Sequence, residues 1–511
     1  MELKLTRDTL RCERLAVVQE EQVSVEGEAT LPGSMRDAVT VLSVQAQAMI
    51  TGAQAGTGEA GIRGRVRFQV LYTQGDLTRI RAMETSCTFE HAMRMEQTAP
   101  GMRIEASACV QETDGRAASG RMALRALIAL RAEAIEPITR EVITDAAGGD
   151  GLQRQRQSLT CCTGELLGEE KTLVREEFDL PARLETGGVL TATGSATAED
   201  ITGGSARTGV SGKVEVRVIH RPAQGGRPLM ITTHELPYEL TLPAPLPEGA
   251  QPVAQAEVVD VMADADEKQR TLRVEAEVRV TLRLRRLGDA MLLDDLYTLR
   301  GEELTPVYEE IDVHTGEQEI RAREGVRLQA SLPQEAQPIG SVLACFAQPT
   351  LLSLSPAGRR LEAEGLMRMT LIYLPADSDI PACVHVREPF AVTFPAETAP
   401  AETAAAPEKA AQDVRGWLTA EECTASALTS DRAEVRCVLA LHAAAHSTRR
   451  IRAMTDVQTA PEQQRESGFV LVWPAAGETR WDTARRLRVA PDSLRPAGKS
   501  ALLAFRRQGA K

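Results

Sequence analysis

The sequence predicts a mainly β protein: three tandem β-sandwich or barrel-like repeat domains, then a small C-terminal α/β module of βααβ order. Three observations carry this prediction. The stretch GRVRFQVLY (Gly64 to Tyr72) returns as GKVEVRVIH (Gly212 to His220) and as GLMRMTLIY (Gly365 to Tyr373). In each copy the second, fourth, sixth and seventh residues after the glycine are apolar, and the third is charged (Arg67, Glu215, Arg368). Alternation of period two marks a half-buried strand, one face on a core and the other in water. Two further landmarks keep register with it. A Val-Leu pair stands 23 residues before each glycine (Val41-Leu42, Val189-Leu190, Val342-Leu343), and a Leu-Pro precedes each pair (Leu31-Pro32, Leu180-Pro181, Leu332-Pro333). The copies lie about 150 residues apart, which is domain length rather than solenoid-repeat length.

Composition agrees. A chain of 511 residues fits three to four domains, and 43% hydrophobic with 26% charged residues lets each bury a core. Aromatic content of 3% disfavours stacking platforms for sugars or single strands. A net charge of −13 disfavours nucleic acid and anionic membranes as partners. The N-terminal MELKLTRDTLRCERLAVVQ lacks an apolar segment of signal-peptide length, and no apolar run is long enough to predict a membrane span. Nine scattered cysteines without a CxxC fit a reduced cytosolic compartment.

Taken in order, residues 1–148 form the first expected domain. Val23 to Pro32 alternates as a strand, Val41 to Ile50 pairs with Gly64 to Tyr72, and Arg103 to Gln111 pairs with Arg121 to Leu130. Residues 149–320 repeat the plan, with Leu272 to Leu287 as its clearest strand. The third domain, 321–457, carries an Ala/Pro/Glu-rich insertion over 395–413, read as a solvated spacer. Residues 466–511 change texture. Phe469 to Trp473 reads as a strand, Pro474 to Gly477 as a turn, and Glu478-Thr479 opens a helix with Trp481, Ala484 and Leu487 on one face. A short second helix starts near Pro491 with Leu494 inward, and Ala501 to Phe505 closes as a strand. Trp481, Ala484, Leu487 and Val489 are the expected core, with Trp481 buried within it.

This last unit resembles a LysM domain through Val470, Val472, Gly477, Thr479, Trp481, Ala484, Val489 and Leu494. It departs at Glu478, Arg480 and Arg495-Pro496. The resemblance implies a binding groove at Gly477, Glu478, Thr479, Arg480, Asp482, Leu494 and Arg495, with peptidoglycan or other N-acetylglucosamine glycan as its usual ligand. The body, carrying Leu-Pro, Val-Leu and the Gly-led strand three times, resembles the SPOCS-domain sporulation proteins. That resemblance implies a spore-coat morphogenetic factor in the mother-cell cytoplasm, at the forespore surface, which binds the ATPase of the coat basement layer or another coat protein through its LysM. Residues 467–511 hold nine Lys/Arg against three acids, a basic module on an acidic body suited to an acidic partner.

Several motifs fail on context. Gly56 to Gly61 spells GxGxxG, but a strand follows where a dinucleotide site needs a helix, so it reads as a hairpin loop. His442 and His446 stand four apart, yet they continue a strand pattern, and Ala443 replaces the glutamate of a zinc protease. His220 takes the strand-end place of Tyr72 and Tyr373, which is packing. Thr483 to Arg495 as a helix-turn-helix conflicts with its flanking strands. The expectation is a non-enzymatic scaffold with no catalytic residue, metal or cofactor; the alternative is a glycan-binding protein acting through the LysM-like unit.

Overall fold

The computed structural model describes residues 3–31, 39–74, 79–148, 151–181, 184–223, 228–247, 251–266, 270–395, 411–461, 468–497 and 502–506. Its fold is mainly β. The first unit comprises β1 (Lys4–Thr30), β2 (Val39–Ala55), β3 (Glu59–Gln74), β4 (Arg81–Arg94), β5 (Arg103–Ala118) and β6 (Arg121–Ala147). The second comprises β7 (Gln153–Asp179), β8 (Thr186–Gly203), β9 (Thr208–Pro222), β10 (Met230–Leu242), β11 (Gln251–Ala265) and β12 (Thr271–Tyr297). The third comprises β13 (Glu303–Ser331), β14 (Ile339–Ala357), β15 (Arg360–Pro375), β16 (Ala382–Pro395), β17 (Ala411–Thr429) and β18 (Arg432–Ala460). Each has two three-stranded antiparallel sheets in one topology: β2-β3-β4 and β1-β6-β5, then β8-β9-β10 and β7-β12-β11, then β14-β15-β16 and β13-β18-β17. Because β2 packs on β5 and β4 on β1, with the same contacts in the other units, the sheets close over one core per unit.

The expected boundary at 320 falls inside β13, which belongs to the third unit's sheet from Glu303 onward. Each unit opens on a strand of 27 to 29 residues, whose first half sequence alternation does not single out. Residues 396–410 of the expected insertion lie outside the described residues.

The three landmarks acquire physical causes. The Gly-led strands β3, β9 and β15 are central in their sheets, and each glycine sits opposite an aromatic: Gly64 with Phe89, Gly212 with Tyr238, Gly365 with Phe390. A Cβ on any of them would enter that ring and a backbone carbonyl of the other neighbouring strand, at Met49, Thr197 and Thr350. The glycine is therefore space for a ring. At each Val-Leu pair the register slips, between Val41 and Ser43, Val189 and Thr191, and Val342 and Ala344. A bulge of this kind re-aims one side chain. Val41, Val189 and Val342 pack on their own unit's core, whereas Leu42, Leu190 and Leu343 turn to a core shared by all three units. The leucine of each Leu-Pro anchors the long strand's end, with the amides of Leu31, Leu180 and Leu332 donating to carbonyls of Gly120, Arg270 and Asp431.

The doubled apolar residues at the sixth and seventh places divide in the same way. Val70, Val218 and Leu371 face their own cores, while Leu71, Ile219 and Ile372 join the shared core beside Leu42. A second shared core forms where the outer halves of the long strands meet, from Leu10 and Cys12, Leu159 and Cys161, and Ile311 and Val313. The units join head to tail. Arg67 of the first pairs with Asp260 of the second at 2.6 Å, and Arg217 of the second donates to the Cys345 carbonyl of the third. Gln348 and the Cys383 thiol of the third reach Thr113 and the Val41 carbonyl of the first. A head-to-tail contact that returns to its start closes a ring. The face of β3 expected in water is thus partly an interface.

GxGxxG lies at the β2–β3 turn, where Ala55 pairs with Ala60. His220 is buried in the register of Tyr72 and Tyr373. His442 and His446 lie on β18, His442 stacked on Trp417 with ring centroids 5.7 Å apart and His446 beside Glu133 of the first unit.

Candidate docking site

The C-terminal module contains β19 (Gly468–Val472), helix α1 (Arg480–Leu487), a single 3-10 turn (Pro491–Ser493), β20 (Arg495–Pro496) and β21 (Leu502–Arg506), with sheet order β19-β21-β20. The expected second helix is that one turn. Pro491 starts it and Leu494 leaves it in extended conformation, so there is no helix pair for a helix-turn-helix. The chain enters α1 through Gly477, whose φ of 84° favours glycine. Thr479 then caps the helix. The Asp482 amide donates to Thr479 Oγ1, and the Thr479 amide donates to Asp482 Oδ2 at 2.9 Å, a reciprocal capping box. Ala484 and Leu487 face Val472, Val489, Leu494 and Ala504 in the module's core.

The predicted groove residues come together, but they serve one another. Glu478 accepts from the Ala475 amide and from Arg486, and these bonds hold its carboxyl below the usual carboxylate range. The bonds of the Thr479 hydroxyl and amide do the same for Asp482. Arg480 donates to the carbonyls of Pro491 and Leu494, both at 2.8 Å, tying the helix to the following turn. Leu494 is buried and Arg495 exposed.

Trp481 is half-buried rather than buried, packed between the module's core and the body. Its ring meets Tyr297 edge-on at 5.1 Å, and its Nε1 donates to Asp295 Oδ2 at 2.7 Å. Arg485 reaches the same carboxylate at 3.0 Å. Arg488, the left-handed C-cap, donates to the Thr298 and Gly301 carbonyls, and Tyr297 donates to the Val489 carbonyl. So Arg480, Arg485, Arg486 and Arg488 are structural, four of the nine cations read as a basic tip. Sequence reasoning missed Asp295, Tyr297 and Thr298. The available signal was Asp294-Asp295 set among Leu292, Leu293 and Leu296, where a bulge between Leu293 and Asp295 breaks the register.

The other face of the sheet is different. Val470 and Val472 turn to α1, whereas Phe469, Leu471 and Trp473 are 76%, 48% and 62% exposed. In a chain with 3% aromatics, Phe469 and Trp473 are the Phe and Trp side chains in the exposed class among the residues whose burial is described. β19 neighbours only β21 among the described residues.

Residues 37–116 match the family model for the SPOCS domain of SipL. The match covers β2, β3, β4 and most of β5 and relates this chain to a family of sporulation proteins. No curated protein and no solved structure matches. Among the described residues, no helix is long and apolar enough to cross a membrane.

Proposed function

We propose that this protein is a non-enzymatic scaffold of spore-coat morphogenesis. Its C-terminal module, LysM-like in pattern, docks on an acidic protein at the forespore surface, and by family resemblance that partner is the ATPase of the coat's basement layer. The scaffold works from the mother-cell cytoplasm. The sporulation-related role follows from the SPOCS match.

The observation that carries the docking reading is the outer face of β19, where Leu471 and Trp473 are 48% and 62% exposed. Exposed aromatic and aliphatic anchors side by side are the usual core of a protein interface. Charge adds direction, since residues 495–511 contain five Lys/Arg and no acid, and such asymmetry speeds and orients encounter with an acidic surface. The glycan reading is less well supported. Glu478, Thr479, Arg480 and Asp482 would have to surrender internal hydrogen bonds to receive a sugar.

Binding of the full chain to the basement-layer ATPase and to chitin oligomers, each by biolayer interferometry, separates the two. Protein binding weakened at least tenfold by Leu471→Glu, with no glycan response, supports docking. Saturable chitin binding that is indifferent to Leu471→Glu overturns it.

A further inference from the structure

The third unit holds a second chemistry-bearing cluster, on the hairpin that precedes the docking module in the chain. β17 and β18 form a hairpin whose register slips between Glu421 and Thr424. The one extra residue turns Cys423 inward, where its sulfur lies 2.8 Å from that of Cys437 on β18. Both are buried, and Cys345 of β14 shares their core. Arg217 enters from the second unit, donating to the Cys345 carbonyl at 3.3 Å, and its charge acts on Cys423.

We propose that Cys423 and Cys437 are a reversible oxidation site, closed to a disulfide by a hydroperoxide. Cys423 is the attacking sulfur. The Cys437 hydrogen bond lowers its thiol against the opposing effect of burial, with the charge of Arg217 adding to the lowering, and a thiol held toward its thiolate is the more reactive form. Burial raises the thiols of Cys87, Cys109, Cys345 and Cys383, which leaves those four less reactive. The Cys423 thiolate takes the distal peroxide oxygen, giving a sulfenic acid and releasing hydroxide, which takes up the proton lost by the Cys423 thiol and leaves as the first water. The Cys437 sulfur then attacks Cys423, the S–O bond breaks, and the second water leaves with the Cys437 proton. Two thiols and one hydrogen peroxide thus give one disulfide and two waters, with two electrons passing to the peroxide. A dithiol reductant reverses the step by exchange. Access comes from opening of β17, an edge strand of its sheet. Bridging pins that edge to β18, and β17 also carries the Leu418 carbonyl that accepts from Cys109 of the first unit. A reversible disulfide in a reducing compartment has the character of a sensor.

The test uses the reduced full chain, treated with stoichiometric hydrogen peroxide, unfolded, alkylated and digested with trypsin. The expected result is a fall from nine alkylatable thiols to seven, a linked pair of peptides 416–432 and 437–449, and recovery of all nine with dithiothreitol. Cys437→Ser should abolish the linked pair and leave Cys423 carrying sulfenic or sulfinic oxygen. Circular dichroism of Cys423→Ser/Cys437→Ser reports whether the fold survives without the thiols. Nine thiols persisting, a Cys12–Cys161 link formed in preference, or unmodified Cys423 in a folded Cys437→Ser protein would each overturn the proposal.

Discussion

β3 and β19 both alternate, and they use the second face in opposite ways. In β3 the inward set, Val66, Phe68 and Val70, fills the unit's core. The outward set, Arg67 and Gln69, is spent on the next unit, reaching the Val261 and Ala192 carbonyls. In β19 the inward Val470 and Val472 pack on α1, and the outward Phe469, Leu471 and Trp473 meet solvent. Polar residues cover a face that the ring of units closes over, and apolar residues occupy one that is largely solvent-exposed. Alternation tells which residues share a face; only the neighbours tell what that face is for.

The largest expected effect tests this contrast directly. Phe68→Ala empties a fully buried site and should cost about 3–5 kcal/mol in urea unfolding. Trp473→Ala removes a larger ring and should change stability by no more than about 0.5 kcal/mol, while weakening partner capture at least tenfold. Equal losses of stability from the two would mean that the outer face of β19 is covered. Within the body, Gly365→Ala should cost about 1–3 kcal/mol, because the new methyl enters the Phe390 ring and the Thr350 carbonyl. Gly325→Ala, where nothing lies within 4 Å of the added carbon, is the control and should be neutral in the same melts.

The module's seam with the body comes next. Asp295→Asn keeps the shape but removes the charge that Trp481 and Arg485 share. A loss of about 2 kcal/mol is expected, the size of a hydrogen bond to a charged group. It should be read as protease cleavage within 462–511 at lower urea, with the body's transition unmoved. A single transition shifting as a whole would show module and body to unfold together. Trp481→Ala then reports on this seam together with the module's core.

How much of this was legible in the chain follows from range. The central strands, their pairing and the threefold recurrence are local patterns and were readable, whereas the first halves of the long opening strands were not. So was the GxGxxG turn, because the residues after it alternate. The repeated Val-Leu was visible as a landmark but not as a bulge, since a slip in register is a property of two strands and a sequence displays one. The ring was hidden for the same reason: Leu71 beside Val70 signals a second apolar face without naming Ile219 and Ile372 as its company. At the C-terminus Gly477, Thr479 and Asp482 announced the helix start, whereas the spending of Arg485 and Arg488 on Asp295 and Thr298 depends on residues 190 positions away. Charge counted along the chain could not separate structural arginines from free ones.

The smallest effect concerns pH and belongs to the third unit alone. His442 is stacked flat on Trp417, and burial, aided by Arg321, pushes its imidazole down to about 4 from the ordinary 6.5. The folded state therefore holds it neutral where the unfolded chain has begun to bind a proton. Stability from this residue is complete above pH 6.5 and is lost as pH falls from there toward 4, because protons bind the unfolded chain first. At pH 5.5 the loss should be about 1 kcal/mol. His442→Phe keeps a ring against Trp417 and cannot titrate, so its unfolding free energy relative to the unmodified chain should improve by that amount between pH 7.5 and pH 5.5. A difference that stays constant across that interval would mean the imidazole titrates alike folded and unfolded, and that water reaches it behind Trp417.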